Sequence, residues 1–285
     1  MEQIDLQPTL VRQYQRERYP QEYHQTGSFS GLEPLSRFSS LSLDELGDAS
    51  LLDRQETKYT FRKDKLLSLL IGLESQYFIL EIQGRRTFDY RSVYFDTPDR
   101  LFFRQHQTGA LPRWKIRQRT YLNSGLSFLE IKSRDNRRIT HKSRRPIPNP
   151  EIRFSKDDFS FIRTYFPGQV SKLIPTLETR YTRITLIHKN RQERITIDSQ
   201  LRFSTGSNIQ ALPNLAVAEV KQNRLNPRSL FISQLKRSSI RPGSFSKYCI
   251  GSVLLHPEIK HNRFKPVLHH IYNLSPGEFD HERPQ

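Results

Sequence analysis

Charged side chains recur at every second residue in four stretches of this 285-residue chain: Lys115-Arg117-Arg119, Glu130-Lys132, Arg194-Thr196-Asp198 and Glu219-Lys221. Successive strand side chains point to opposite faces, so each row shares one face of its strand. The intervening residues (Trp114, Ile116, Leu129, Ile131, Ile195, Ile197, Ala218 and Val220) are mostly apolar and face the other way. Lysine and arginine offer charge-assisted hydrogen bonds to phosphate oxygens, and the planar guanidinium fork suits them. Glu130 and Glu219 each stand two residues before a lysine on the same face, where they can bind a divalent metal or pair with that lysine. Asp198 is a third candidate. Magnesium or manganese bridging carboxylate and phosphate oxygens is the usual arrangement, and a structural salt bridge is the alternative for each acid. One such row reads equally as a solvated edge strand, because charged edges oppose aggregation. Four rows of both signs exceed that need. They predict a closed barrel whose charged interior holds a polyanion and a metal.

The elements that must position these rows are mostly strands. The sequence predicts them over 56–61, 90–96, 113–121, 126–133, 138–146, 177–188, 191–198 and 215–222, from β-branched and aromatic residues bounded by turns such as Thr97-Pro98-Asp99 and Asn123-Ser124-Gly125. Helices are expected after Asp64 as cap, over 155–166 with Ser155 as N-cap, over about 227–238 with Pro227 in the first turn, and near Phe245. Residues 1–47 read as a flexible N-terminal arm, with a possible short turn at 41–46. Residues 48–256 read as one tunnel-like domain and 257–285, with Pro257, Pro266, Pro276 and Pro284, as an irregular tail. The expected class is α+β, mainly antiparallel, an eight-stranded barrel with helices packed outside.

Charge is concentrated where these strands lie. Residues 1–50 hold four Lys/Arg against eight Asp/Glu and residues 256–285 four against four, although the whole chain carries +17. The middle is the cationic object, suited to phosphates, nucleic acid or an anionic membrane. Cys249 is the one cysteine, which excludes an internal disulfide. With no apparent signal peptide and no apolar run near the ~20 residues of a membrane span, a cytoplasmic location is expected, a membrane partner remaining open. No P-loop and no GxSxG elbow occur, and the nine histidines show no metal-ligand spacing. Nucleic acid is disfavoured because aromatic residues do not interleave with the cations as a stacking platform requires.

Six blocks occur in order: Glu56-Thr-Lys58-Tyr59, Ser92-Val-Tyr-Phe-Asp96-Thr-Pro, Lys115-Ile-Arg117-Gln-Arg119-Thr-Tyr121, Phe128-Leu-Glu130-Ile-Lys132, Ala218-Glu219-Val-Lys221 and Phe245-Ser-Lys247-Tyr248. Together, over about residues 50–255, they resemble the VTC domain, the polyphosphate polymerase module of the vacuolar transporter chaperone complex and its stand-alone bacterial relatives. That domain is similar to the triphosphate tunnel metalloenzymes of the CYTH-like superfamily, eight-stranded antiparallel barrels around a charged tunnel.

The resemblance implies roles. Lys58, Arg117, Arg119, Lys132, Lys142, Arg183 and Arg194 correspond to tunnel cations that grip triphosphate or the growing chain, with Lys115 and Lys221 as further phosphate-binding cations on the same rows. Tyr181 resembles a phosphate-binding tunnel tyrosine and Lys247 a basic residue near the tunnel wall. Glu219 resembles the main ligand of Mn²⁺ or Mg²⁺, followed by Glu130 and Asp198. Ser244 departs from the pattern, standing where the eukaryotic polymerase carries a lysine. The phosphate-sensing SPX domain and membrane anchor of the eukaryotic subunit are not expected in this sequence. The implied reaction transfers the γ-phosphoryl group of ATP to a polyphosphate end. A triphosphatase on the same fold and a non-catalytic polyphosphate-binding module are the alternatives; metal preference, chain length and oligomeric state stay open.

Overall fold

The computed structural model of the chain describes residues 33–46, 55–148, 153–224 and 226–275. Its strands are β1 (Ser40–Leu41), β2 (Gln55–Arg62), β3 (Tyr77–Leu80), β4 (Phe88–Asp96), β5 (Arg113–Tyr121), β6 (Ser127–Arg134), β7 (Thr140–Pro146), β8 (Ile174–His188), β9 (Glu193–Thr205), β10 (Asn208–Leu212), β11 (Leu215–Gln222) and β12 (Pro242–Gly243). The helices are α1 (Glu33–Ser36), α2 (Leu43–Leu46), α3 (Leu66–Leu70), α4 (Leu101–Thr108), α5 (Lys156–Tyr165), α6 (Leu230–Arg237), α7 (Lys247–Leu255) and α8 (Lys265–Leu274).

All twelve strands join one sheet, with the hydrogen-bonded path β12-β2-β11-β9-β8-β4-β5-β6-β7 and with β1, β3 and β10 attached beside it. Every pairing is antiparallel except β1 with β3. The fold is therefore α+β and mainly antiparallel, as expected. Among the described residues no ladder joins β7 back to β2, yet the sheet curls until its ends approach. Lys58 of β2 is near enough to Lys115 of β5 and Lys132 of β6 to repel their charges.

The register puts the alternating charges on one face. Lys58 lies opposite Glu219, and Glu219 opposite Thr196. Asp198 faces Arg183, Tyr181 faces Tyr90, and Tyr94 faces Arg117. Arg117 faces Glu130, which faces Arg144, while Lys115, Lys132 and Lys142 form a row across three strands. The predicted apolar partners occupy the reverse face. Ile195, Ile197, Ala218 and Val220 pack with Leu66, Leu69 and Leu70 of α3 and Phe231 and Leu235 of α6. Ile116, Leu129 and Ile131 share a cluster with Ile162 of α5, and the Trp114 ring sits 5.5 Å from that of Phe166. Each such burial of a valine, leucine, isoleucine or phenylalanine contributes about 1.5–3 kcal/mol, which holds the charged face inward.

Caps set the helices. Ser155 and Asp158 form a capping box at the start of α5. Asp96, at the end of β4, satisfies the first turn of α4: its carboxylate accepts from the backbone N–H groups of Phe102 (2.8 Å) and Phe103 (2.9 Å) and from the Tyr248 hydroxyl.

Several expectations need correction. Residues 33–46 of the expected arm belong to the fold: Leu35, Phe38 and Leu41 are buried and β1 pairs with β3. Residues 1–32, and the 48–54 start assigned to the tunnel domain, lie outside the described residues. The expected tail carries α8, with Leu268 and Ile271 buried; Pro266 falls in its first turn, where a missing N–H costs nothing. Asp64 does not cap a helix but accepts from Arg62 at 3.0 Å, and α6 begins at Leu230 with Ser229 as its N-cap, so Pro227 lies before the helix and not in its first turn. Helix α4 and strands β3 and β10 were not anticipated. One helix is not outside: α7 is buried along its length and rests on an apolar end of the charged face, with Tyr248 stacked on Tyr94 at 5.2 Å and Gly251 against Phe203. An alanine at Gly251 would set its Cβ 2.4 Å from that ring, so close approach demands glycine there.

Candidate functional site: a cationic lumen

Three carboxylates anchor the lumen, each between cations. Glu130 accepts from Nε of Arg117 at 2.7 Å and lies 3.6 Å from Arg119. Asp198 is gripped by both arms of the Arg183 fork, at 2.5 and 2.8 Å, and by Lys247 from α7. Glu219 bridges Lys221 at 2.7 Å and Lys58 at 3.3 Å, and Lys58 also donates to Glu56 at 2.6 Å. Burial alone would raise these acids, but the adjacent guanidinium and ammonium groups overcome it. Glu130, against Arg117 and Arg119, and Asp198, against Arg183 and Lys247, both fall to about 2. Glu219 is held well below the carboxylate range by Lys58 and Lys221. The sequence allowed either Glu-Lys pair to be a same-strand bridge. Glu219 with Lys221 is one; Glu130 turns across to β5 instead.

A second group of cations is not paired with a carboxylate among the described residues. Among the described residues Lys115, Lys132, Lys142 and Arg194 make no ion pair. Lys115 donates only to Ser246 Oγ, at 3.1 Å. Lost solvation, opposed by Glu56 and reinforced by Lys142, Lys115 and Lys58, pushes Lys132 down to about 8. Burial likewise depresses Lys115. The Nε groups of Arg119 and Arg194 are buried without an acceptor. Donors with no acceptor and like charges in register cost free energy in the empty protein, and an anion relieves both.

Every cation named from the sequence thus lies on this face or, for Lys247, points into it. Tyr181 is here too, stacked on Tyr90 at 5.1 Å, with Arg183 5.3 Å and Lys247 4.2 Å from its ring. Four participants were missed. Tyr94 lies beneath Arg117, its ring under the guanidinium and its hydroxyl oxygen accepting from Nη1 at 3.0 Å, and Tyr90 lies under Arg183. Glu56 pairs with Lys58, and Arg144 stands opposite Glu130. The alternation Tyr90-Ser92-Tyr94 carried the signal, as did the Glu-x-Lys spacing of Glu56 and Lys58.

The three carboxylates do not gather around one point, and no cluster of three His, Cys, Asp or Glu suited to a metal exists among the described residues. A protein-only metal cage is therefore not built here. The donor set fits a divalent cation only as a shared site, one carboxylate from the protein and the rest from substrate phosphates and water, the habit of magnesium. Glu219 suits it because its present partners are lysines, which can turn to phosphate. A cavity of about 580 Å³, lined by Gln76, His188, Glu193 and Arg228, opens elsewhere; its Glu193 is held by Tyr77 and Gln222 and lies on the reverse face.

A curled antiparallel sheet with a charged concave face and an apolar convex one defines a tunnel-type phosphate-handling protein. The chain belongs to the VTC domain family, whose model matches residues 53–256. Among solved structures it is similar to a candidate adenylate cyclase from Bacillus halodurans (15% identity, 68% of this chain and 95% of that one, TM-score 0.46). It is also similar to a candidate adenylyl cyclase from Hippeastrum described as having a dominant triphosphatase activity (14% identity, 69% and 95%, TM-score 0.43). No curated protein matches the chain. Among the described residues no helix is long and apolar enough to cross a membrane.

Proposed function

We propose that this protein is a polyphosphate polymerase, transferring the γ-phosphoryl group of ATP to the end of a polyphosphate chain held on the cationic face. The observation that carries the reading is the continuity of that face. Cations from β2, β5, β6, β7, β8, β9 and β11 line one concave surface, more than a single triphosphate needs, and their number suits a linear polyanion. Family membership supports the same substrate class.

In the reaction a terminal phosphate oxygen of the chain attacks the γ-phosphorus, the bond to the β-phosphate oxygen breaks, and ADP leaves while the chain gains one unit. Such transfer rests on positioning and on neutralising the equatorial oxygens, so no covalent enzyme intermediate is needed. Arg117, Arg119 and Arg183 are aimed by their carboxylates and so are pre-organised for the transferred group. Lys58 and Lys221 flank Glu219, beside which Lys132, Lys142, Arg194 and Lys115 offer unpaired charge for the chain. Lys247 and Tyr181 close the wall at Asp198. Mn²⁺ or Mg²⁺, held by Glu219 together with phosphate oxygens, would supply further charge neutralisation at the β- and γ-phosphates.

The test is incubation of purified protein with ATP and manganese, with products separated on a gel stained for polyphosphate and ADP and free phosphate followed in parallel. Long chains appearing with ADP are expected. Free phosphate without chains, from ATP or from inorganic triphosphate, would make the protein a hydrolase, and turnover of neither would make it a binding module.

A further inference from the structure

The β5–β6 ladder continues past the lysine row to a pair that the active lumen does not use. Arg113 and Arg134 lie directly opposite each other in register, a like-charge pair one step beyond Lys115 and Lys132. A third guanidinium joins them from outside the family-matched region. Arg263, in the segment leading into α8, repels Arg113, as Arg134 does. None of the three has a carboxylate within ion-pair distance among the described residues.

Arg263 is held there by the fold. Its backbone N–H donates to the Gln107 side chain at 3.3 Å, and its guanidinium crosses Gly109, the left-handed C-cap of α4. A Cβ at Gly109 would lie 2.2 Å from Nη1 of Arg263, so any larger residue there would push the guanidinium aside. The carboxyl end of α4 favours a cation nearby. Between Arg263, Arg113 and Lys58 lies a cavity of about 400 Å³, bordered also by His106 and the turn at Ser244–Ser246. His106 Nε2 is buried at this wall without a partner.

We propose that Arg113, Arg134 and Arg263 form a second phosphate-binding station, an outer track that holds the part of an extended polyphosphate chain lying beyond the lumen lysines. This rests on the polyphosphate reading above and adds that C-terminal residues outside the family domain extend the binding surface. Arg134 and Arg263 both set like charge against Arg113, a cost in the free protein that a strand of phosphates relieves; Arg134 donates Nε to the Arg138 carbonyl at 3.1 Å and presents its remaining N–H groups. Arg113 lies four residues before Arg117 on β5, about 13 Å along the strand, so a triphosphate centred at Arg117 leaves the outer track to longer chains, and the track reads chain length.

The test measures binding of inorganic triphosphate and of long-chain polyphosphate to the full chain and to Arg263→Ala, Arg134→Ala and the double variant, with thermal unfolding as a check on folding. The expected result is that triphosphate affinity moves less than about twofold, while long-chain affinity falls about fivefold to tenfold per arginine. Arg263→Lys, which keeps the charge but not the fork, should recover part of the loss. Equal losses for both ligands, or none for long chains, would overturn the outer track while leaving the lumen reading intact. A wild-type protein that binds neither ligand would overturn the polyphosphate reading itself. Single-stranded RNA competing as well as polyphosphate of equal charge would overturn the choice of ligand.

Discussion

Two regions of one cationic surface handle their charge in opposite ways. In the first, Arg117, Arg119, Arg183, Lys58, Lys221 and Lys247 are each fixed by Glu130, Asp198 or Glu219. In the second, Lys115, Lys132 and Lys142 stand side by side and make no ion pair among the described residues. Carboxylates in the first region stabilise the folded protein and set the aim of each guanidinium. Without such pairs the second keeps charge that a ligand can neutralise. Pre-organised groups suit a reacting phosphoryl centre, where misplacement is costly, whereas unpaired groups suit a chain that must slide.

The comparison breaks most sharply at the reaction centre. Arg117→Ala and Glu219→Gln should each lower phosphoryl transfer by about 10²–10³-fold, the loss typical when one group stabilising developing charge is removed. Lys142→Gln should lower it far less and mainly at low polyphosphate concentration. Steady-state rates across chain concentrations decide this, and an Arg117 variant with full activity would remove that residue from the centre.

Stability should divide the same way. Glu130→Gln leaves Arg117 partly buried without its acid and should cost about 3–5 kcal/mol, read from urea midpoints. Lys142→Gln relieves a like-charge row and should be neutral or stabilising by about 0.2–1 kcal/mol. Because Glu130 and Asp198 are depressed to about 2 in the fold, their contribution is complete above the ordinary carboxylate range and is lost as pH falls through about 2. Equal costs for the two variants would erase the distinction between the regions.

The strands and the face were legible because a period of two is local information. Lys115, Arg117 and Arg119 announce their common side whatever they pair with, and β5 begins and ends where the sequence placed it. Partner choice is not local. That Glu130 turns to Arg117 rather than to Lys132 depends on the β5–β6 register, which no spacing within β6 encodes. The same limit hid Arg263, which reaches the site only because α8 folds back, and the inward packing of α7, whose mostly apolar sequence beyond Lys247 suits burial against either face. Residues 33–46 were misread as an arm because their polar composition outweighs three isolated core side chains, Leu35, Phe38 and Leu41.

The smallest predicted effect is the most specific to the unpaired region. Lys132 titrates at about 8 in the free protein, below its ordinary 10.5, because solvent is lost and lysines surround it. In that window the unfolded chain binds more protons than the folded one, so this group makes the free protein more stable as pH rises from about 8 toward 10.5. A bound phosphate chain reverses the local field and draws the proton back, since an adjacent anion favours the charged form. Binding at about pH 8.5 should therefore take up a fraction of a proton, and binding at about pH 6.5, where Lys132 is already charged, should draw none from this group. Calorimetry in two buffers of different ionisation enthalpy measures it, and Lys132→Gln should remove the uptake at the higher pH. Uptake that survives the substitution would assign the proton to another group, with Lys115, also depressed by burial, the next to substitute.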